Sequence, residues 1–195
     1  AYFLTLQYRL AASQDNIANM VRMLVGRYCV KDAKGGLGAL TYTEPTQYPE
    51  TGLYHPRAKK RLTTQIADLP RNKKAKGTVG LLLLRSYLLS GDTAHYDSVI
   101  EALEKRGLNV VPVFNNGLDM RPAIDAYLSG VGTAAKIDAL LSLTGFSLVG
   151  GPAYSDTDAA SKALESLDVP YVSAAITEFQ SLQQWEGSEA GLTPI

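Results

Sequence analysis

From Thr78 onwards, short apolar runs alternate with segments of helical periodicity, and this alternation restricts the fold more than any other feature of the sequence. The runs cover residues 78–84, 108–114, 137–143 and 169–174. Strands that alternate with helices in this way form βαβ units with right-handed crossovers and a parallel sheet. The first run is apolar without interruption, as expected of a strand covered on both faces. The sequence therefore predicts an α/β domain with a four-stranded, parallel, doubly wound sheet.

Local signals place the helices between these strands. Asp92 or Thr93 can cap the helix that carries Tyr96, Val99, Ile100 and Leu103 on one face. Pro122 suits the first turn of a helix at 121–128, and Ser155 with Asp158 suggests a capping box for a helix at 157–167. A last helix is predicted at 178–185.

The first 50 residues have a different pattern. Residues 1–30 are predicted to be helical with a possible break near Ser13, and residues 31–58, rich in Gly and Pro, to be loop-like. We expect Cys29 to be buried core, at the end of a helical face formed by apolar residues: Ile17, Met20, Val21, Leu24, Val25 and Tyr28. The predicted division is a helical appendage with a linker at 1–50 and an α/β domain at 51–195.

The formal net charge is zero, yet the charges are unevenly distributed. Residues 57–76 contain eight basic side chains and one acidic side chain, a local charge of +7, and the remainder carries −7. This segment is either a solvated linker or a surface for an anionic ligand or acidic partner. We expect no nucleic-acid binding, because no aromatic residue is interleaved with the lysines to stack on bases.

Several other classes of protein are disfavoured by the sequence. A single cysteine allows no disulfide framework and no thiolate-rich metal site within this chain. No apolar run approaches the roughly 20 residues of a membrane-spanning helix, and no leader opens the chain, so we expect a cytoplasmic protein. The first residue is Ala rather than Met, which we interpret as a segment of a longer protein.

Ligands of doubly wound domains bind beyond the carboxyl ends of the strands. The loops there are predicted at 85–92, 115–120, 144–154 and 175–177. The first offers Arg85, Ser86 and Asp92, and the third is rich in glycine, which permits positive φ or close approach of backbone to a ligand.

Neither a dinucleotide fingerprint nor a P-loop occurs, so we do not expect this chain to hydrolyse ATP. His55 and His95, the two imidazoles, lack a short metal-ligand spacing and are interpreted as hydrogen-bonded structural residues.

Several strings, in a consistent order, resemble a known family. Residues 79–93 (VGLLLLRSYLLSGDT) resemble the strand–loop–helix signature of the large-subunit family of magnesium chelatase and cobaltochelatase. Residues 51–56 (TGLYHP) resemble the motif that precedes it, and residues 107–114 its second strand. Residues 142–153 (SLTGFSLVGGPA) are similar to the magnesium-chelatase H-type version of the third loop. The resemblance extends from 51 to 195 and is less distinctive over 1–30.

This resemblance implies a function. The large subunit binds protoporphyrin IX and is associated with insertion of Mg²⁺, the first committed step towards chlorophyll or bacteriochlorophyll. ATP would be used by partner subunits of the AAA+ class (I and D type), and the Mg-protoporphyrin methyltransferase is a further candidate partner. The implied location is the cytoplasm, or the stroma of a plastid, with peripheral membrane association as an option.

Within this interpretation, the candidate substrate-binding residues are Arg85, Ser86, Asp92, His95, Thr144 and Phe146, and no catalytic residue or metal ligand is assigned. Arg85 and the basic segment are candidates for binding the two propionates, and Asp92, Asp119, His55 and His95 are the groups near loops that could serve proton or metal transfer.

Two alternatives stay open. The segment is a non-catalytic docking or framing domain of that large subunit, or it belongs to a cobaltochelatase that inserts cobalt into a corrinoid precursor.

Overall fold

The computed structural model describes residues 1–29, 40–151, 154–174 and 180–191. The strands are β1 (Thr51–Tyr54), β2 (Leu62–Thr63), β3 (Thr78–Leu84), β4 (Asn109–Asn115), β5 (Ala139–Ser142), β6 (Gly150–Gly151), β7 (Tyr154–Ser155) and β8 (Tyr171–Ser173). The helices are α1 (Tyr2–Leu10), α2 (Gln14–Tyr28), α3 (Arg85–Ser90), α4 (Ala94–Lys105), α5 (Arg121–Tyr127), α6 (Thr157–Leu167) and α7 (Leu182–Glu186).

The central sheet has six strands in the order β2-β1-β4-β3-β5-β8. β4, β3, β5 and β8 are mutually parallel, which confirms the predicted parallel sheet of four strands. β1 and β2 extend it beyond β4 as an antiparallel hairpin, with Leu53 opposite Val113 and Thr63 opposite Leu53. The sequence predicts a loop at β1, because a four-residue strand that contains Gly52 and lies between Pro49 and Pro56 carries little periodic signal.

Helices cover both faces of the parallel strands. On one face, Leu81 and Leu83 of β3 pack in a cluster with Tyr96 and Ile100 of α4. On the other face, Leu82 packs in a cluster with residues of α5, and α6 packs against the same cluster. The chain therefore leaves β3 towards one face and leaves β4 towards the other, which is the doubly wound arrangement.

The N-terminal helices confirm the break at Ser13, whose hydroxyl accepts a hydrogen bond from the backbone N–H of Asn16 at the start of α2. The predicted buried face of α2 is confirmed only in part, since Ile17, Met20, Leu24 and Val25 are half-buried. Its buried side chains are Asn16 and Met23, whereas Val21 and Tyr28 are largely exposed. Cys29 is also exposed, contrary to expectation. α2 packs on its Asn16 side because that side bonds to the backbone of the segment around Thr46.

Element ends agree with the sequence prediction in some places and differ in others. α6 spans the predicted residues, although its cap is Asp156, which accepts from the N–H of Ala159, and not a Ser155–Asp158 box. Thr93 precedes α4 without a side-chain cap. α7 begins at Leu182, and the predicted loop at 175–177 lies outside the described residues. In the described part of the chain, no helix combines the length and apolarity needed to cross a bilayer.

Candidate ligand-binding cleft

A cleft opens where β3 and β4 end side by side. Leu84 is paired with Asn115 at the carboxyl ends of the two strands. Because the helices that follow leave to opposite faces of the sheet, the two chain segments separate here and form a crevice. The crevice holds a cavity of about 470 Å³, within the range of about 300–1,000 Å³ typical of small-ligand sites. Its walls are mainly apolar and include Leu10, Leu84, Leu118 and Phe146.

Arg85, the first residue of α3, lies at the base of this cleft and is only 6% exposed. Its Nη1 donates to the Oδ1 of Asn116 at 2.5 Å, and its Nη2 donates to the carbonyl oxygen of Tyr48 at 3.0 Å. The guanidinium therefore joins the ends of β3 and β4 to the segment that precedes β1. Its Nε is buried and has no hydrogen-bond partner in the part of the chain that the structure describes.

A second cavity of about 470 Å³ adjoins the first, and Arg85 and Asn116 line both. The wall of this second cavity is polar and includes Glu44, Thr46 and Glu50. Asn116 holds this wall in place, since its Nδ2 donates to the Oε2 of Glu50 at 2.7 Å and its backbone N–H to the Glu50 carbonyl at 2.8 Å. The two cavities are thus separated by a hydrogen-bonded partition.

The structure brings three of the six predicted substrate-binding residues together: Arg85, Ser86 and Phe146 line the apolar cavity. Thr144 is buried, and its hydroxyl donates to the carbonyl of Phe146 at 3.2 Å, so it shapes the loop that carries Phe146. Gly145 between them has a φ of +79°, which confirms the expected positive φ in this loop.

Asp92 and His95 lie away from the cavity lining. Asp92 is exposed, and His95 packs its ring against Tyr96 with 3.9 Å between ring centroids. The Nε2 of His95 is buried, and none of the described residues forms a hydrogen bond with it. These two predicted site residues therefore lie on α4 and the turn before it, and not beside Arg85.

His55 and Asp119, the other groups considered for proton or metal transfer, are already engaged. His55 is fully buried; its Nδ1 accepts from the N–H of Arg57, so its Nε2 carries the hydrogen that faces Glu104 at 3.2 Å. Burial lowers the pKa of His55, against the opposing effect of Glu104. Hydrogen bonds from Arg121 hold the pKa of Asp119 below its usual value. Among the described residues, no three His, Cys, Asp or Glu side chains are grouped as a metal site.

The basic segment has two parts. Arg57 binds Glu104 at 2.7 Å, and Arg61 lies 3.5 Å from Asp97, so both bridge the β1–β2 hairpin to α4. The remaining basic residues are exposed: Lys59, Lys60, Arg71, Lys73, Lys74 and Lys76. Both interpretations of this segment, solvated surface and anionic docking site, stay open for these six.

Three residues of the site were not predicted from the sequence: Asn116, Leu118 and Tyr48. The first two fall in the predicted loop at 115–120, and the Asn-Asn-Gly sequence directly after a strand was a usable signal for Asn116. Tyr48 contributes a backbone carbonyl, which any residue supplies. No side-chain pattern could have identified it.

The fold and the cleft define a doubly wound α/β domain with a ligand-sized crevice at the carboxyl ends of its parallel strands. The family model described as CobN/Magnesium Chelatase matches residues 6–195, and the chain belongs to that family.

The chain is 56% identical over 196 residues to the H subunit of magnesium chelatase from Cereibacter sphaeroides, and 53% identical over 195 residues to that from Rhodobacter capsulatus. Each match covers 100% of this chain and 16% of the relative, so the chain spans about one sixth of their length. Among solved structures, the catalytic subunit of cobaltochelatase from Mycobacterium tuberculosis aligns with a TM-score of 0.58 at 21% identity, over 97% of this chain and 15% of that one. This last likeness concerns the fold alone.

Proposed function

We propose that this chain is part of the porphyrin-binding subunit of a magnesium chelatase, which inserts Mg²⁺ into protoporphyrin IX on the route to chlorophyll or bacteriochlorophyll. The observation that carries the proposal is the similarity to the H subunit of magnesium chelatase along the whole chain. The family model covers both cobaltochelatases and magnesium chelatases. The 56% identity to a magnesium-chelatase H subunit favours Mg²⁺ over cobalt.

The cleft suits one part of this substrate. Protoporphyrin is a flat apolar macrocycle with two carboxylates, and the cleft combines apolar side chains such as Leu118 and Phe146 with the guanidinium of Arg85. We assign Arg85, Ser86 and Phe146 to substrate contact at one edge of the macrocycle. Asp92 and His95 are not given this role, because neither lines the cleft.

The insertion step itself needs groups that the described residues do not offer in the cleft. Mg²⁺ releases its water shell reluctantly, and two pyrrole N–H protons must leave the macrocycle as the metal enters. His55 and Asp119 are committed to Glu104 and Arg121, respectively. In our proposal the domain holds and orients the porphyrin, and proton removal occurs elsewhere in the full-length protein.

The proposed partners follow from the same relationship. AAA+ ATPase subunits of the I and D type would hydrolyse ATP, and the Mg-protoporphyrin methyltransferase would receive the product. The site of action would be the cytoplasm, or the stroma in a plastid-bearing organism, with peripheral membrane association as an option.

A docking or framing role is the second candidate. Its support is the apolar surface of α1, where Tyr2, Phe3 and Leu10 are 71%, 80% and 83% exposed. Under this alternative, blocking the cleft leaves porphyrin binding intact, and substitutions on α1 reduce association with the ATPase subunits.

A matched pair of serine variants separates the two candidates in the full-length protein. Ser86→Trp fills the cleft, whereas Ser98→Trp places the same bulk on the exposed side of α4. We expect Ser86→Trp to weaken porphyrin binding, followed by quenching of tryptophan fluorescence, and to lower ATP-dependent Mg²⁺ insertion. Ser98→Trp should match the wild type. Equal binding by both variants would exclude the cleft, and insertion of cobalt without magnesium would favour the cobaltochelatase alternative.

A further inference from the structure

Arg85 carries a buried positive charge that has no counter-ion among the described residues. Its two Nη atoms donate only to neutral oxygens, those of the Asn116 amide and the Tyr48 carbonyl. Among the described residues, its Nε has no partner and no carboxylate lies within 4.0 Å of its nitrogen atoms. The charge is therefore held in place without a direct ion pair, and Glu50 of the adjoining cavity is joined to it only through the Asn116 amide.

Three other arginines show what is unusual about this arrangement. Arg57, Arg61 and Arg121 each meet a carboxylate, although their side chains are 56%, 54% and 45% exposed and solvent already stabilises their charge. Arg85 is the least exposed of the four and the one without an acidic partner in the described part of the chain. Buried charges in proteins are ordinarily paired, because removing an ion from water costs several kcal/mol.

We propose that the missing counter-ion is a single carboxylate carried by the ligand of the apolar cavity. This inference rests on the proposed function, in which the carboxylate is one propionate of the porphyrin. Two of the five guanidinium N–H groups of Arg85 donate to protein oxygens, and its single unit of charge matches a monoanion. Phosphate sites instead collect several backbone N–H groups in a glycine-rich loop, and Glu44 and Glu50 in the adjoining cavity would repel a dianion more strongly than a monoanion.

The walls of the cavity define the rest of the ligand. Leu10, Leu84, Leu118 and Phe146 line the same space as Arg85, and Ser86 adds a hydroxyl to the lining. A carboxylate at the guanidinium therefore extends into an apolar body that lies against these side chains. The ligand class is a flat apolar carboxylate bound by one charged end, so that only one of the two propionates is held here.

The test compares deuteroporphyrin IX with its dimethyl ester, using the full-length protein and the variant Arg85→Gln. The wild type should bind the free acid roughly 10- to 100-fold more tightly than the ester, the range for a hydrogen bond to a charged group. In Arg85→Gln, affinity for the acid should fall to that for the ester, while affinity for the ester is unchanged. Unchanged ester binding also shows that the variant has folded.

Two controls make the result specific. Arg121→Gln removes another arginine near the carboxyl ends of the strands, one that is already paired with Asp119, and should leave the preference for the acid intact. Arg85→Lys retains the charge without the planar fork and should keep part of the preference.

The outcomes distinguish this inference from the proposed function. If the wild type binds acid and ester equally, the carboxylate site is wrong while porphyrin binding stands. If neither porphyrin binds, the proposed function fails, and a titration with 2-naphthoate decides the carboxylate site on its own. Naphthoate binding that is lost in Arg85→Gln supports the site, and equal or absent binding in both proteins overturns it.

Discussion

Gly52 lies opposite Phe114 where β1 pairs with β4, and a Cβ atom at Gly52 would come within 2.6 Å of the Phe114 Cζ. The Phe114 ring is fully buried and belongs to the cluster that includes Tyr96 and Ile100. The ring therefore occupies the space that any other residue at position 52 would need. We expect Gly52→Ala to lower the free energy of unfolding by about 1–3 kcal/mol, as measured by urea denaturation.

Two further variants test this relationship. Phe114→Leu, combined with Gly52→Ala, should recover part of the loss, because the shorter side chain removes the ring edge. Gly187→Ala, where the nearest atom to an added Cβ lies at 3.5 Å, should change stability little. A wild-type midpoint for Gly52→Ala would contradict the packing described.

Stability should depend on the protonation of His55. Burial lowers the pKa of His55 in the folded state, and its Nδ1 accepts a hydrogen bond that a proton would displace. The unfolded chain, with a pKa of about 6.5, then binds the proton more readily than the folded chain. The stability that neutral His55 contributes is complete above about pH 6.5, the unfolded-state pKa. It is lost as the pH falls from there towards the folded-state pKa.

The corresponding measurement is the free energy of unfolding between pH 7.5 and 5.5. The wild type should lose stability over this interval, and His55→Gln should lose less, since the titrating group is gone. Parallel curves for the two proteins would show that His55 does not carry the dependence.

Asn16 should stabilise the segment around Thr46, which forms part of the wall of the second, polar cavity. Its side chain is buried; the Oδ1 accepts from the N–H of Thr46 at 2.9 Å and the Nδ2 donates to the Thr46 carbonyl at 2.8 Å. Asn16→Ala leaves both backbone groups without this partner, so we expect a loss of about 1–3 kcal/mol. Limited proteolysis should cut the segment around Thr46 faster in this variant. Asn19→Ala, which removes an exposed contact to Thr43, should have a smaller effect on both measurements.

Tyr54 should stabilise the attachment of the β1–β2 hairpin to α4. Its hydroxyl donates to the Oδ1 of Asp97 at 2.5 Å and accepts from the Nη2 of Arg61 at 2.6 Å. Tyr54→Phe removes both bonds to charged groups, and we expect thermal and urea unfolding to show a loss of about 1–3 kcal/mol. The exposed Tyr154 provides the control, and Tyr154→Phe should stay within about 0.5 kcal/mol of the wild type. Equal stabilities of the two variants would refute the role given to Tyr54.

The parts of the fold that the sequence predicted are those fixed by local pattern. The uninterrupted leucines of β3 predicted a strand covered on both faces, and the boundaries of α6 agree with its periodicity. The less regular apolar pattern of Leu4, Leu6, Tyr8 and Leu10 indicates a break near Ser13, where the structure has the cap of α2. β1 and α3 were missed, since four and six residues are too short to establish a period.

The candidate site was predictable only where a side chain carries the function. Arg85 was selected because a cation directly follows a buried strand, and the cleft confirms that it lies at the carboxyl ends of β3 and β4. Its partner Tyr48 acts through a carbonyl 37 positions away in the chain, a contact that depends on tertiary structure. The sequence does not reveal that His95 lies outside the lining of the apolar cavity, because α3 and a turn separate it from Arg85.

The separation of the chain after β3 and β4 also bears on how this domain can change over time. The gap exists because two backbone segments depart towards opposite layers of helices, and no side chain is needed to keep it open. Residues on its rim can therefore be exchanged while the core beneath them is retained. In such a domain, the topology provides the binding crevice, and substitutions in a few loops determine which ligand the crevice selects.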